Sequence, residues 1–354
     1  MVSWLSGRML QFWRDWRGCM RLSHAAGARA QELASGLFTP IAPDLALVED
    51  RLRLMAQVEC RPLEALLSRA LGNPGKLVRP ALTIACGRLF REPNASLLSM
   101  AAAVECLHTA TLIHDDIVDE TRERRGAPAL HSSSGKGAAL LAGDYLFAQA
   151  AAVASETNNL RIMRLFADCV MKVCTGQIEE NAQSRDVRPF LSREGYYRTI
   201  DAKTAALFTL ACESGAVLGE ASMGQIDALR TYGSTLGLAF QIIDDILDLI
   251  GDEELMGKPA GSDLRQGVMT LPMIYLRDEI SQNTLLAAFS DDGARDRAIA
   301  EITGRASGSR AIERAHEEAR DLAVGAAGLL AVLPAGDCRD LLEALATLVV
   351  ERDL

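Results

Sequence analysis

Two short clusters of carboxylates carry the strongest chemical signal in the chain. The first is Asp115-Asp116-Ile117-Val118-Asp119, which closes the apolar run 101–114. The second is Asp244-Asp245-Ile246-Leu247-Asp248, which closes the apolar run 236–243. In each cluster the outer aspartates are four residues apart, so on a helix they share one face. Like charges at that spacing repel, and a cation between them removes the repulsion. Oxygen-only ligands select Mg2+ or Ca2+, and Mg2+ is commonly shared with substrate phosphates. One such cluster alone reads as a solvated helix end. Two of the same pattern, each following a hydrophobic run, disfavour that reading; if the two helices face each other, their carboxylates could hold several Mg2+ around one diphosphate.

The elements that must position these acids are helical. Leu45, Val48, Leu52 and Met55 form an apolar stripe at three- and four-residue spacing. Breaks fall at Gly72-Asn73-Pro74-Gly75, Glu92-Pro93-Asn94 and Gly126-Ala127-Pro128, then near Arg188-Pro189, at Gly257-Lys258-Pro259 and near Asp291-Asp292-Gly293. The apolar segments between them run to roughly 15–30 residues, long for strands and suited to helices. No alternating strand pattern and no fixed repeat is evident. The expected fold is all-α: residues 41–354 as a single large bundle of about ten or more helices around a central catalytic cavity. The more charged segment 280–354 is expected to form peripheral helices.

Composition agrees and narrows the function. Aromatics are 5% of a chain that is 49% hydrophobic, which favours Ala/Leu-rich helices over sheets. The formal net charge of −10 argues against a nucleic-acid partner, because phosphate neutralisation needs Lys and Arg in excess. None of the 8 cysteines forms a C-x-x-C pair, and most sit in apolar runs, as reduced buried thiols of a cytoplasmic protein do. No stretch of about 18 uncharged apolar residues occurs, so no transmembrane helix is expected. Residues 1–40 stand apart. They hold all 3 tryptophans, Trp4, Trp13 and Trp16, and an excess of arginine. Such a tail reads as disordered, as an organellar transit peptide, or as a weak membrane-surface anchor.

Several motifs around the clusters resemble, in order, those of the trans-isoprenyl diphosphate synthase (polyprenyl synthetase) family. They are Gly75-Lys76-Leu77-Val78-Arg79-Pro80, the run Glu105 to His114 leading into the first cluster, Arg124-Arg125-Gly126, Gly143-Asp144-Tyr145-Leu146, Lys203-Thr204-Ala205, Phe240-Gln241 before the second cluster, and Gly257-Lys258-Pro259 with Asp263-Leu264. The resemblance spans residues 45 to 350. It implies a Mg2+-dependent trans-prenyltransferase that condenses isopentenyl diphosphate 1′-4 onto an allylic diphosphate such as farnesyl or geranylgeranyl diphosphate. It implies Asp115, Asp119 and Asp244 as metal ligands, for three Mg2+ with substrate bound, and Asp116, Asp245 and Asp248 as hydrogen-bonded or water-mediated partners around them. Lys76, Arg79, His108 and Arg125 would hold isopentenyl diphosphate. Arg124, Lys203, Gln241 and Lys258 would serve the allylic diphosphate. A homodimer is expected on the same ground.

The run His108 to Asp116 also resembles long-chain synthases that make quinone side chains. Ala110 and Thr111, five and four residues before Asp115, are small where short-chain members carry a bulky aromatic. A hexaprenyl to decaprenyl product, about C30–C50, is therefore expected. Two departures stand out. Val268 occupies a position where the family often has Lys, and Gly176-Gln177-Ile178-Glu179-Glu180 matches only loosely. The rivals are a class I terpene cyclase, a non-catalytic subunit of a heteromeric synthase and a structural metal-binding protein. The Asp-rich second cluster, the retention of both clusters, and the cations at Lys76, Arg124 and Lys203 respectively disfavour them.

Overall fold

In the computed structural model the chain is described over residues 36–72, 75–124, 126–183, 192–251, 260–290 and 293–351. The expected tail over 1–35, Arg125 and Lys258 lie outside the described residues. The all-α expectation holds. Helices run in the order α1 (Ala42–Met55), α2 (Arg61–Leu71), α3 (Val78–Arg88), α4 (Ala95–Val118), α5 (Leu130–Ser134), α6 (Lys136–Ser155), α7 (Leu160–Gln183) and α8 (Arg193–Ile200). A π-helical turn, Asp201–Ala205, leads into α9 (Ala206–Leu218) and α10 (Met223–Ile250). Then come α11 (Ser262–Gln266), α12 (Leu271–Leu276), α13 (Gln282–Ala288), α14 (Arg295–Ala306), α15 (Arg310–Leu329) and α16 (Asp337–Val350).

The two cluster-bearing helices are central because their sequences are apolar on nearly every side. α4 starts where the Asn94 side chain accepts a hydrogen bond from the Leu97 N–H at 2.9 Å, a capping contact for an otherwise unpaired donor. Its Met100 to Leu107 stretch is wholly buried, so it is a core helix although it is long and apolar enough to cross a membrane. α6 also meets that length and composition, but it turns Leu140, Leu141 and Tyr145 outward. α10 begins with the Gln225 Oε1 accepting the Ser222 N–H at 3.0 Å.

Two apolar cores flank the site. One gathers α1–α4, α6, α9 and the first half of α10, with Phe208 and Tyr232 among its largest members. It reaches back to Leu37 and Phe38, ahead of the expected boundary at residue 41. The other gathers Ile242, Ile243, Ile246 and Leu249 of α10 with α12, α14 and α15.

Two expectations need correction. The 280–354 segment is not simply peripheral, because α15 packs along α10 through buried Ala315, Ala319, Ala323 and Ala326. An alanine stripe lets two backbones approach closely, and its low hydrophobicity hides it among charged neighbours. A small antiparallel hairpin, β1 (Glu123–Arg124) and β2 (Ala127–Pro128), follows the first cluster. Two-residue strands are too short to show any alternation.

Candidate active site

The first cluster closes α4. Asp116 faces inward and is buried, and the Arg124 guanidinium of β1 donates to its Oδ1 at 2.6 Å from both Nε and Nη2. That bond ties the hairpin to the end of α4 and holds Arg124 at the mouth of the site. Among the described residues, Asp115 and Asp119 have no side-chain ion pair of this kind. Burial pushes Asp115 up to about 7, with Lys203 opposing and the Asp119 and Glu180 charges adding to the rise. Asp119 is raised for the same first reason, with Lys203 again opposing.

The second cluster is bonded inward. Asp245 accepts from the Tyr196 hydroxyl at 2.6 Å on one oxygen and from the Gln241 amide at 2.8 Å on the other. Gln241 in turn accepts from the Thr204 hydroxyl at 2.5 Å. Burial and then the neighbouring Asp263 charge push Asp245 well above the usual carboxylate range, while Tyr196 and Gln241 pull it down. Asp248 is buried and accepts the Asp263 N–H at 3.0 Å, and its own carbonyl accepts the Gly261 N–H at 2.8 Å. Asp244 is half-buried on the same helix.

Lys203 comes to this place on the π-helical turn. A π turn carries one residue more than the α-helical register and is often found at functional sites. Two glycines let it sit there. A Cβ on Gly176 of α7 would lie 2.7 Å from the Ala202 Cβ, and a Cβ on Gly237 of α10 would lie 2.6 Å from the Ala205 Cα. The Lys203 ammonium makes an ion pair with Glu180 of α7. Burial works against its charge, but Glu180, then Asp115 and Asp119, hold its pKa above the ordinary lysine value.

One cavity of about 640 Å³ is lined, among the described residues, by Asp119, Arg124, Glu180, Tyr196, Lys203, Thr204, Gln241, Asp245 and Val268, while Asp115 and Asp244 are not among its lining residues. It joins the two aspartate clusters and three elements bearing sequence-predicted residues. Lys76, Arg79 and His108 do not line it. The Arg79 guanidinium lies over the Phe208 ring at 4.9 Å, and His108 stands half-buried on α4. Ala110 and Thr111 are buried on α4, with the Thr111 hydroxyl donating to the His108 carbonyl at 2.8 Å. Tyr196, Thr204 and Glu180 were missed as individual site residues. The segment Gly176–Glu180 matches the family only loosely, Thr204 falls inside the quoted motif Lys203-Thr204-Ala205 without a role of its own, and Tyr196 has no type or spacing that betrays it.

The donor set fits a hard divalent cation. Asp115 and Asp119 offer only oxygens, one turn apart, and each is pushed up by burial and by excess negative charge. Among the described residues no group of three or more His, Cys, Asp or Glu side chains gathers as a closed metal site. Mg2+ commonly takes one or two carboxylates and completes its shell with phosphates and water.

The polyprenyl synthetase family model matches residues 61–304. The chain belongs to the polyprenyl synthetase family. As a family member it is a trans-prenyltransferase, an enzyme class in which a metal-held diphosphate is the leaving group. A heptaprenyl diphosphate synthase component 2 from Geobacillus stearothermophilus is 34% identical over 319 residues, covering 90% of this chain and 98% of that one. A short chain isoprenyl diphosphate synthase from Methanothermobacter thermautotrophicus is 36% identical, covering 79% and 87%. A polyprenyl synthase from Caulobacter crescentus, solved with calcium and isoprenyl diphosphate, superposes with a TM-score of 0.82 at 35% identity, covering 90% and 97%.

Proposed function

We propose that this polyprenyl synthetase condenses isopentenyl diphosphate with an allylic diphosphate in head-to-tail 1′-4 fashion and repeats the step to a long all-trans product of about C30–C50, the size of quinone side chains. The observation that carries this is a single cavity lined by an acid from each cluster, Asp119 and Asp245, together with the cations Arg124 and Lys203. Asp115, Asp119 and Asp244 are the ligands for Mg2+, three ions with substrate bound. The metal supplies Lewis-acid and charge stabilisation of the departing diphosphate. Arg124, Lys203, Gln241 and Lys258 orient the allylic diphosphate. Lys76, Arg79, His108 and Arg125 hold isopentenyl diphosphate, with the bidentate fork of arginine suited to phosphate oxygens. The reaction requires that water be kept from the allylic cation.

Two small buried side chains one turn before Asp115, Ala110 and Thr111, support the long product, as does the similarity to a heptaprenyl synthase component. The similarity to a short-chain synthase favours a second reading, in which growth stops early. Incubation with Mg2+, farnesyl diphosphate and excess isopentenyl diphosphate, read by mass spectrometry, decides between them. A ladder to thirty or more carbons supports the first reading, and a stop at about fifteen or twenty carbons the second. No condensation with any allylic primer would sink both.

The outward apolar residues Leu140, Leu141 and Tyr145 of α6, with Met171 and Ile178 of α7, support a homodimer. Leu141→Glu should give a monomer by light scattering, and an unchanged mass would remove that face from the interface. The enzyme is cytoplasmic in this proposal, with residues 1–40 as a weak membrane-surface contact. Loss of liposome binding on their deletion tests that contact.

A further inference from the structure

Among the described residues lining the cavity, Glu180 is the one carboxylate that comes from α7. Its side chain is only 15% exposed, and it is not placed there by accident of a long flexible arm. The Gln177 amide, one turn earlier, donates to Glu180 Oε2 at 3.3 Å. Gly176 brings the helix against the π-helical turn, so Glu180 and the Lys203 ammonium meet as an ion pair. Yet Glu180 is also close enough to Asp115 and Asp119 to raise both. A third acid facing two metal-binding acids is unfavourable unless it has work to do on the cation between them.

We propose that Glu180 is a positioning residue that holds the Lys203 ammonium when no diphosphate is bound and competes with diphosphate for it, so that released diphosphate leaves readily. This rests on the assignment of Lys203 to the allylic diphosphate. The two anions, carboxylate and diphosphate, cannot both keep one compact ammonium in full contact, and each repels the other. The pair therefore lowers the affinity of the site for the diphosphate group and favours emptying of the site after each condensation. Glu180 takes no part in bond making or breaking.

Binding of inorganic diphosphate to the full chain in EDTA, measured by calorimetry, tests this without turnover. Glu180→Gln should tighten binding about three- to tenfold, as expected for one partly buried charge contact, and Glu180→Ala should do the same. In a Lys203→Met background the Glu180→Gln effect should disappear, since contacting residues couple and independent ones add. With Mg2+ present, Glu180→Gln should lower the KM for the allylic diphosphate and lower kcat together, a split that a destabilised fold does not produce. Unchanged or weaker binding in both Glu180 variants, or equal tightening with Lys203 removed, would overturn the proposal. If Lys203→Met alone leaves diphosphate binding unchanged, the assignment of Lys203 fails first and this inference with it.

Discussion

The two aspartate clusters share a pattern and differ in state. At the end of α4 the middle acid, Asp116, is bonded by the Arg124 side chain, and among the described residues it is the one acid of this cluster with a side-chain ion pair. Burial raises both Asp115 and Asp119, with the Lys203 charge opposing and the Glu180 charge adding to the rise. Within α10, Asp245 and Asp248 are both buried and both engaged, by Tyr196, Gln241 and the Asp263 N–H. The first cluster holds carboxylates in tension for an incoming cation. The second spends two of its three acids on fixing α8, the π-helical turn and the 261–263 turn around it. Identical spacing on a helix therefore says which oxygens share a face, and the neighbouring elements decide whether those oxygens are available.

The largest effect should come from the strained cluster. Asp119→Ala or Asp115→Ala is expected to lower kcat by about a thousandfold or more while raising or preserving thermal stability, because a poorly compensated buried charge goes and the lost contribution is to transition-state charge. Steady-state kinetics beside a melting curve checks both signs. Activity surviving within tenfold would mean that the first cluster is not the principal metal site. Next in size is Gly237→Val, which drives side-chain carbons into Ala205 and must displace the turn that carries Lys203. A fall in kcat of about a hundredfold with about 1–3 kcal/mol of destabilisation is expected, and wild-type kinetics would show that the turn tolerates movement.

Tyr196→Phe sharpens the comparison on the bonded side. It removes one donor from buried Asp245, which should lower stability by about 1–3 kcal/mol in urea unfolding. The Mg2+ concentration for half-maximal activity should shift much less than in the Asp119 variant. A large Mg2+ shift with unchanged stability would make Asp245 a ligand and dissolve the distinction drawn above.

The smallest effect concerns the clamp behind α8. Glu318 of α15 accepts from Arg193, Tyr197 and Tyr275. Burial acts to raise it, but these hydrogen bonds outweigh burial and hold it below the usual carboxylate range. A depressed folded-state pKa means stability that is full above the unfolded value, about 4.3 for Glu, and is lost as pH falls through the folded value. Glu318→Gln should therefore flatten the loss of stability between neutral and acid pH. An unaltered slope would show that other carboxylates carry it.

Most of the fold and half of the site were legible in the sequence, for reasons that particular residues show. The apolar runs 101–114 and 236–243 suit core helices, and two acidic clusters of the same pattern ending such runs point to a shared partner. Lys203, Gln241 and Arg124 were found by motif and do converge on one cavity. Tyr196 was hidden because a buried hydroxyl that serves a carboxylate looks like any core aromatic. Glu180 was hidden because its meaning depends on Lys203 lying opposite, a relation between two helices that no local pattern encodes. The π-helical turn was hidden because Asp-Ala-Lys-Thr-Ala suits an α-helix equally well, and only the packing of Gly176 and Gly237 selects the wider register. The alanine stripe of α15 was outweighed by the charges on its other face.

That wider turn has a geometric consequence. Residues 193–218 run as one continuous rod, and an extra residue in a helix turns everything beyond it by about 100°. Before the turn, Tyr196 and Ile200 belong to the core around the second half of α10, and after it Leu207, Phe208 and Ala211 belong to the core around α4. The rod changes allegiance at the five residues that present Lys203. A substitution deep in either core can thus reach the chemistry by torsion of this rod, altering the heading of one ammonium without touching any group that meets the substrate.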